Sequence, residues 1–572
     1  MNYKKQIAVL LSDFIKEITP QEVEKLIELP PKDIDFDYSF PVFILSKVKK
    51  KSPQQIAVDL EKNLIKPEFL LKIKAVGPYL NFKINKTFLA KDILTNIFNK
   101  REEFGRIESK EIKRPLKIVV EYPSPNTNKP LHLGIIRNIF IGQSVSNLLR
   151  FIGNEIFEVN LYNDRGIHIC KSMLAYQKWG NNKRPEDENI KSDHFVGKFY
   201  VLFNEKLQKD PDLNQEAEDL LHKWENNDPN IRAIWKMMNT WAKKGFNESF
   251  SKLDVKFDKE YFESDIYKKG KEIINTAIDG ENFEQVEDNA VIARLEKYNL
   301  PDKVLLRSDG TSLYITQDIY LAKKKKEDFN YDKSIYVVGN EQNTYFKQLF
   351  KILELLGFSE EMIHLNYGMV YLPEGKMKSR EGQTVDADEI IEEVYNLAKK
   401  EILKRYNDLN EEEIEKRSRI IGHAALRFYI LKYDPKKDFT YYPDRSLSFE
   451  GDTGPYIQYV YARIQSIINK TEVEIDIDID FSLLKHKTEK ELIFNLYQFP
   501  EILKEAAESY KPHLICQYLL NLSQHLNSFY VSCQVITSEI NLQKARLLLI
   551  RCIQIVIKIG LNLLGIEILE QM

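Results

Sequence analysis

Cysteine is almost missing from this chain. Its 572 residues hold four, Cys170, Cys516, Cys533 and Cys552, and no two stand in the C-x-x-C spacing of a structural zinc site. So few cysteines exclude a disulfide scaffold and point to a reducing cytoplasm. Long apolar runs are missing as well. No stretch reaches the ~18 uncharged apolar residues of a membrane span. The apolar patch near the start is broken by Asp13 and Lys16, which excludes a secretory signal. Glycine (22) and proline (21) are scarce, which favours long helices over linkers. Neither sign of charge dominates: 83 Lys and Arg stand against 86 Asp and Glu, a net charge of −3. That excludes a uniformly basic nucleic-acid coat and still permits local basic patches. Repeats and low-complexity segments are absent.

What remains is a globular composition, 43% hydrophobic and 30% charged, with length for about three to five domains. Residues 1–100 predict a small α/β unit. It starts with a helix on Ile7, Leu10, Leu11, Phe14 and Ile15, and closes with a turn into a strand over Val76 to Phe82. The basic cluster Lys47, Lys49, Lys50, Lys51 is read as a solvated face. Residues 101–390 alternate strand and helix: a buried strand Lys117 to Glu121, a helix ending near Gly153, then strands at Ile156 to Leu161, Val304 to Leu306, Ile335 to Val338 and Leu365 to Tyr371. This alternation predicts a parallel sheet with helices on both faces. The many charges of a polar insertion over about 175–300 are read as a solvated surface rather than a tRNA acceptor-stem contact. Residues 391–572 carry helical periodicity, as in Leu492 to Leu503 and Ala545 to Leu564, and predict an all-helical domain.

Three segments carry chemistry. The first runs from Glu121 through Ser124-Pro125-Asn126 to His132-Leu133-Gly134-Ile135. It joins the first strand to the following helix, where α/β sheets bind ligands. A helix N-terminus there offers free N–H groups and a positive dipole to phosphate. The second is the basic loop Gly375-Lys376-Met377-Lys378-Ser379-Arg380-Glu381-Gly382, able to bring cations to a leaving pyrophosphate. The third is a dispersed set of acceptors: Glu121, Tyr314, Asp318 and Gln342. Two carboxylates, an amide and a phenol suit a guanidinium, which has five donors and no acceptor.

Taken in order, these segments resemble the arginyl-tRNA synthetases of class I, essentially end to end. Asn163 to Cys170, Ser308 to Asp318, Tyr336 to Gln342 and Gly451 to Tyr459 with Arg463 resemble further blocks of that family. The resemblance implies a Rossmann-type catalytic domain between an N-terminal tRNA-elbow domain and a helical anticodon-binding domain. It implies arginine held by Glu121, Asn126, Tyr314, Asp318 and Gln342. ATP would meet His132, Gly134, Ile135, Met377 and Lys378, with His132, Lys376 and Arg380 acting in catalysis. Tyr79, Asn81, Tyr456 and Arg463 would touch tRNA-Arg. Mg²⁺ would accompany ATP, no protein metal site is implied, and the protein would be a cytoplasmic monomer.

Three departures matter. Ile135 stands where the class pattern has a second histidine, and cannot hydrogen-bond. Tyr345 stands near another replaced histidine, and Lys378, Ser379 and Arg380 occupy the stretch of the usual second lysine. The leading expectation is an active enzyme that ligates arginine to tRNA. The alternative is a catalytically impaired relative that binds tRNA or another partner.

Overall fold

Val119 and Val120 are wholly buried, as a central strand covered on both faces requires. In the computed structural model, which describes residues 3–31, 34–107, 114–278, 282–286, 289–308, 313–371, 373, 385–406 and 408–572, that strand lies mid-sheet. The strands β1 (Lys117–Glu121), β2 (Glu155–Tyr162), β3 (Lys259–Phe262), β4 (Lys333–Gly339) and β5 (Glu361–Tyr367) follow the order β5-β4-β1-β2-β3. Every pairing is parallel. The chain winds outward through β2 and β3, then returns to lay β4 on the other side of β1. That reversal opens a crevice beyond the carboxyl ends of β1 and β4. Glu121 ends β1 there, in register with Tyr336 of β4 and Val159 of β2.

The helices that build the site are α1 (Leu133–Phe151), α2 (Ser192–Leu207), α3 (Pro229–Lys252), α4 (Tyr314–Phe329), α5 (Asn343–Leu355), α6 (Ala387–Arg405) and α7 (Glu411–Leu431). Helix α1 is buried nearly all round: Ile136, Ile139, Phe140, Val145 and Leu148 are all at 0% exposure. Its Gly142 permits close approach to the loop after β1, since a Cβ there would meet the Tyr122 ring at 2.5 Å. Arg137, also buried, donates to the backbone oxygens of Gly368 (2.6 Å), Pro435 (2.9 Å) and Lys437 (2.7 Å). It thereby ties α1 to the end of β5 and to the Asp434–Lys437 turn.

Two expectations are corrected. The strand at Val304 to Leu306 is not in the parallel sheet. It is the last of three antiparallel strands, Phe283–Gln285, Val291–Ala293 and Lys303–Leu306. Leu305 and Leu306 bury against Ile315 and Ile319 of α4, so an apolar run that sequence alone assigns to a central strand serves a small side sheet. The stretch 175–300 is not wholly an insertion either. It supplies β3 to the main sheet, and Phe195, Phe203 and Phe246 at 0% and Trp224 at 1% exposure give it a core of its own.

The chain packs as two compact units. The unit just described takes residues 105–465, 499–521 and 557–572; the other takes 1–104, 466–498 and 522–556. In the latter, Tyr79–Ile84 is the middle strand of a three-stranded antiparallel sheet, between Tyr38–Pro41 and Leu70–Val76. Within it Tyr3 packs on Phe69 and Tyr497, and Arg546 pairs with buried Glu489 at 2.8 Å. From Ala387 onward the described regular structure is helical apart from a short pairing of Phe439–Thr440 with Val370–Tyr371. No described helix is long and apolar enough to cross a membrane.

Candidate active site

The loop after β1 is held by β2. Ser124 has φ +53, a conformation that L residues adopt only when neighbours fix it. Here its N–H donates to Asn160 Oδ1 at 3.2 Å, and its carbonyl accepts from Asn163 Nδ2 at 2.9 Å. Asn126 follows, exposed and bridged to Asn163. The chain then reaches His132, whose extended backbone caps α1. Its Nδ1 is buried without a hydrogen-bond partner. Burial, with Lys129 nearby, lowers the imidazole pKa to about 4, so the ring is neutral at pH 7. Gly134 has a local role. A Cβ there would stand 3.0 Å from His132 Cε1, so glycine lets that ring lie over the first turn. Ile135, half-buried, belongs to the same turn, its N–H bonded to His132 O at 2.8 Å.

A second backbone segment clamps this turn. Leu133 N donates to Val385 O at 3.3 Å, and Ala387 N donates to Leu131 O at 3.0 Å. The residues just before α6 therefore pair with those just before α1. Lys376, Met377, Lys378 and Arg380 lie outside the described residues.

The acceptors converge around α4. Glu121 Oε2 accepts from Lys325 Nζ at 2.8 Å. Lys325 is at 0% exposure; it also contacts Ser334 Oγ at 3.3 Å and lies 3.8 Å from the Tyr336 ring centroid. Asp318, one turn into α4, accepts from the Tyr345 hydroxyl. Burial and the charge of Glu121 push the Asp318 carboxyl up to about 7, against the opposing pull of Tyr345 and Lys325. Tyr314 opens α4 and is 58% exposed. Across from it Gly166 has φ +100, and a Cβ there would be 3.4 Å from the Tyr314 hydroxyl. Gln342 is exposed and caps α5, three residues before Tyr345.

Two residues here were passed over in the sequence. Lys325 looks like one more lysine of the run Lys323 to Lys326. Glu263 follows β3, a strand hidden in the supposed insertion. Glu263 is 2% exposed, and its Oε2 has no partner. In the amide orientation that satisfies both neighbours, Gln317 donates to Glu263 Oε1 at 2.8 Å and accepts from Arg165 at 2.9 Å. Burial raises the Glu263 pKa to about 8; Arg165 opposes this, and Asp164 and Asp318 add to it. Burial also lifts Asp164 to about 6, against two hydrogen bonds from Ser264. The strand-end rule that drew attention to Glu121 would have found Glu263 had β3 been recognised.

The remaining candidates lie elsewhere. Tyr79 is half-exposed beside the turn at Gly77 and packs edge-on against Phe43. Asn81 is 2% exposed, with its amide toward Lys74 O at 3.5 Å; in this structure it belongs to the interior of its sheet, not to a surface. Tyr456 and Arg463 lie two turns apart on the helix Gly454–Ile468. Among the described residues, one group has the spacing of metal ligands: Asp193, His194 and Asp388. Lys191 already stands 3.2 Å from Asp193 and 2.6 Å from Asp388, so the donor set is matched to an ammonium and does not fit a divalent ion.

A helix start after the first strand, a parallel sheet with its switch point at β1 and β4, and buried carboxyls along α4 are the layout of a class I aminoacyl-tRNA synthetase. The family described as tRNA synthetases class I (R), catalytic domain, matches residues 94–442. The DALR anticodon binding domain matches 457–572, and the arginyl tRNA synthetase N terminal domain matches 1–84. The chain belongs to the arginyl-tRNA synthetase family. It is 42% identical to the arginine–tRNA ligase of Treponema denticola over 98% of each chain. It is 41% identical to that of Treponema pallidum over 97% of this chain and 96% of the other. The arginyl-tRNA synthetase structure of Thermus thermophilus superposes with a TM-score of 0.80 at 27% identity, covering 99% of both chains.

Proposed function

We propose that this chain activates arginine with ATP, forming arginyl-adenylate and pyrophosphate, and then transfers arginine to the 3′ end of tRNA-Arg. The observation that carries this reading is the convergence of the buried carboxyls of Glu121, Asp318 and Glu263 along α4. Acidic acceptors in a partly dry pocket favour a guanidinium, because a neutral side chain would leave them unsatisfied. We assign arginine to Glu121, Asn126, Tyr314, Asp318, Gln342 and Glu263.

ATP is assigned to the α1 start. Neutral His132 can donate one hydrogen bond to a phosphate oxygen, and the N–H groups of the first turn add to it. The arginine carboxylate attacks the α-phosphate and pyrophosphate leaves; the adenylate carbonyl is then attacked by the terminal ribose hydroxyl of tRNA. Neither step needs a covalent enzyme intermediate, so positioning and electrostatics carry the barrier reduction. Lys376 and Arg380 are assigned to the charge of the leaving pyrophosphate, and Met377 and Lys378 to ATP binding. Mg²⁺ enters with the ATP phosphates. Domain limits of 1–100, 101–390 and 391–572 are proposed, with tRNA contacts at Tyr79, Tyr456 and Arg463; Asn81 joins them only if its side chain turns outward. A cytoplasmic monomer completes the reading, and sedimentation of the purified chain tests the oligomeric part.

Tyr345 supports the active enzyme over the impaired relative. It stands near a replaced histidine, yet its hydroxyl hydrogen-bonds to Asp318, which opposes the pKa rise of that carboxyl. The test is aminoacylation of tRNA-Arg with labelled arginine, with the native chain beside Ile135→His. Charging by the native chain upholds the reading. Charging by the variant alone would establish a site built for arginine and disabled at one position.

A further inference from the structure

Outside the pockets for arginine and ATP, one polar cluster joins three helices. His194, in the first turn of α2, has Nε2 3.1 Å from Asp386 Oδ2 and 3.4 Å from Asp388 Oδ2. Its own helix brings Lys191 and Asp193 to the group. From α3 come Ser249, whose hydroxyl is 3.1 Å from Asp388, and Lys252, 3.3 Å from Asp388 and 3.2 Å from Glu392. From α6 come Asp386, Asp388 and Glu392. The helices are pressed tightly together here. A Cβ at Gly245 of α3 would stand 2.2 Å from Asp193 Oδ1, and one at Gly197 of α2 would stand 2.6 Å from Pro130.

The cluster reaches the ATP turn by backbone. Asp386 caps α6, its Oδ1 accepting from the N–H of Asp388 at 2.7 Å and of Glu389 at 3.3 Å. Asp386 is also the residue bridged to His132. The side chain that His194 holds therefore belongs to the segment that pairs with residues 131–133. Counting charge, Asp193, Asp386 and Asp388 face Lys191 and Lys252, while Glu392 lies further out with its side chain 55% exposed. The inner group balances only when His194 carries its proton.

We propose that His194 is a positioning residue for the ATP half of the site: through Asp386 it fixes the pairing of residues 385–387 with residues 131–133, and so the setting of His132. This rests on the assignment of ATP to the α1 start. Burial pulls the His194 pKa down, but the nearby carboxylates of Asp388, Asp386 and Asp193 outweigh it and leave the value raised. The protonated pair is therefore fully present below the ordinary histidine value of about 6.5. It is lost as pH rises through the raised value.

The test is arginine-dependent ATP–pyrophosphate exchange with tRNA present, from about pH 6 to about pH 9. It uses the native chain, His194→Ala, His194→Gln and Asp386→Asn. At the low end, His194→Ala is expected to lower kcat/KM for ATP about tenfold, with KM for arginine unchanged. The native advantage shrinks as pH rises. His194→Gln, which keeps a neutral donor, recovers part of the loss and lacks that pH dependence. Asp386→Asn, which keeps the helix cap, lowers the pKa read from the His194 ring resonance. Native behaviour of His194→Gln and Asp386→Asn at every pH overturns the inference. So does a parallel loss for ATP and arginine. If His194→Ala does not fold, the other two variants carry the test. A native chain inactive in exchange overturns the functional reading and this inference with it; an active native chain with indifferent variants overturns this inference alone.

Discussion

Replacing Lys325 by methionine should be costly for both folding and arginine binding. The ammonium is at 0% exposure and has Glu121 Oε2 at 2.8 Å, Ser334 Oγ at 3.3 Å and the Tyr336 ring at 3.8 Å. Methionine preserves much of the stem and deletes the charge. Glu121 is then left as a buried carboxylate without its counter-charge, a loss of about 3–5 kcal/mol for one partner of a buried pair. The effect spreads to Asp318. Lys325 helps hold that carboxyl down near 7, so its removal moves Asp318 further toward the neutral acid at pH 7. A neutral acid no longer offers a charged acceptor to a guanidinium, and a charge-assisted hydrogen bond is worth about 1.5–3 kcal/mol, roughly 10–150-fold in KM for arginine. Urea unfolding measures the first effect and arginine-dependent exchange the second. The double variant Lys325→Met with Glu121→Gln should be more stable than Lys325→Met alone, because the stranded charge has gone. A stability change under about 1 kcal/mol for Lys325→Met would refute the reasoning, since it would mean the pair is neither buried nor coupled as described.

Further outcomes follow from the same geometry. Since the Asp318 pKa is about 7, kcat/KM for arginine should rise with pH through that value. Tyr345→Phe removes the hydroxyl donor and should move the rise to higher pH; an unmoved profile would count against the Tyr345 role. Gly134→Ala sets a methyl 3.0 Å from the His132 ring, and should lower kcat/KM for ATP about tenfold with arginine binding intact. Arg137→Met strips three short bonds to backbone oxygens and should destabilise the chain by about 3–5 kcal/mol in urea unfolding, as loss of a buried polar network does.

Much of this architecture was legible in the residues. Ile118 to Val120 is β-branched, apolar and short, and sits in the middle of the sheet as its composition demands. The α1 start was readable because helix N-termini after a strand are generic anion sites. What could not be read was spatial. Lys259 to Phe262 is a four-residue strand of mixed polarity, KEYF, with no alternation long enough to stand out from the helices around it. Losing it concealed Glu263. Val304 to Leu306 misled for the opposite reason: a short apolar run looks alike in a central parallel strand and in a side sheet packed under a helix. Lys325 was invisible because a four-lysine run reads as a solvated face, and only the helix rotation reveals which lysine turns inward.

The partly protonated pocket gives arginine selection a second layer. With Asp318 near 7 and Glu263 near 8, the empty site at neutral pH does not carry its full set of negative charges; burial keeps some protons on. The charge of Asp318 raises Glu263, so they titrate as a group and not one by one. A bound guanidinium favours the ionised forms, so binding must release protons, and affinity must increase as pH rises through the values of the empty site. Lysine brings the same charge but only three donors on one nitrogen. It can pay for the deprotonation of fewer carboxyls at once, because a single ammonium cannot face acceptors spread from β1 to β3. Arginine's planar fork distributes its charge over five donors and can. Selection against lysine is thus tied to proton release. Calorimetric titrations in buffers of different ionisation enthalpy should give a larger proton release for arginine than for lysine. Equal release would mean that the carboxyls are already ionised in the empty pocket and that selectivity comes from shape alone.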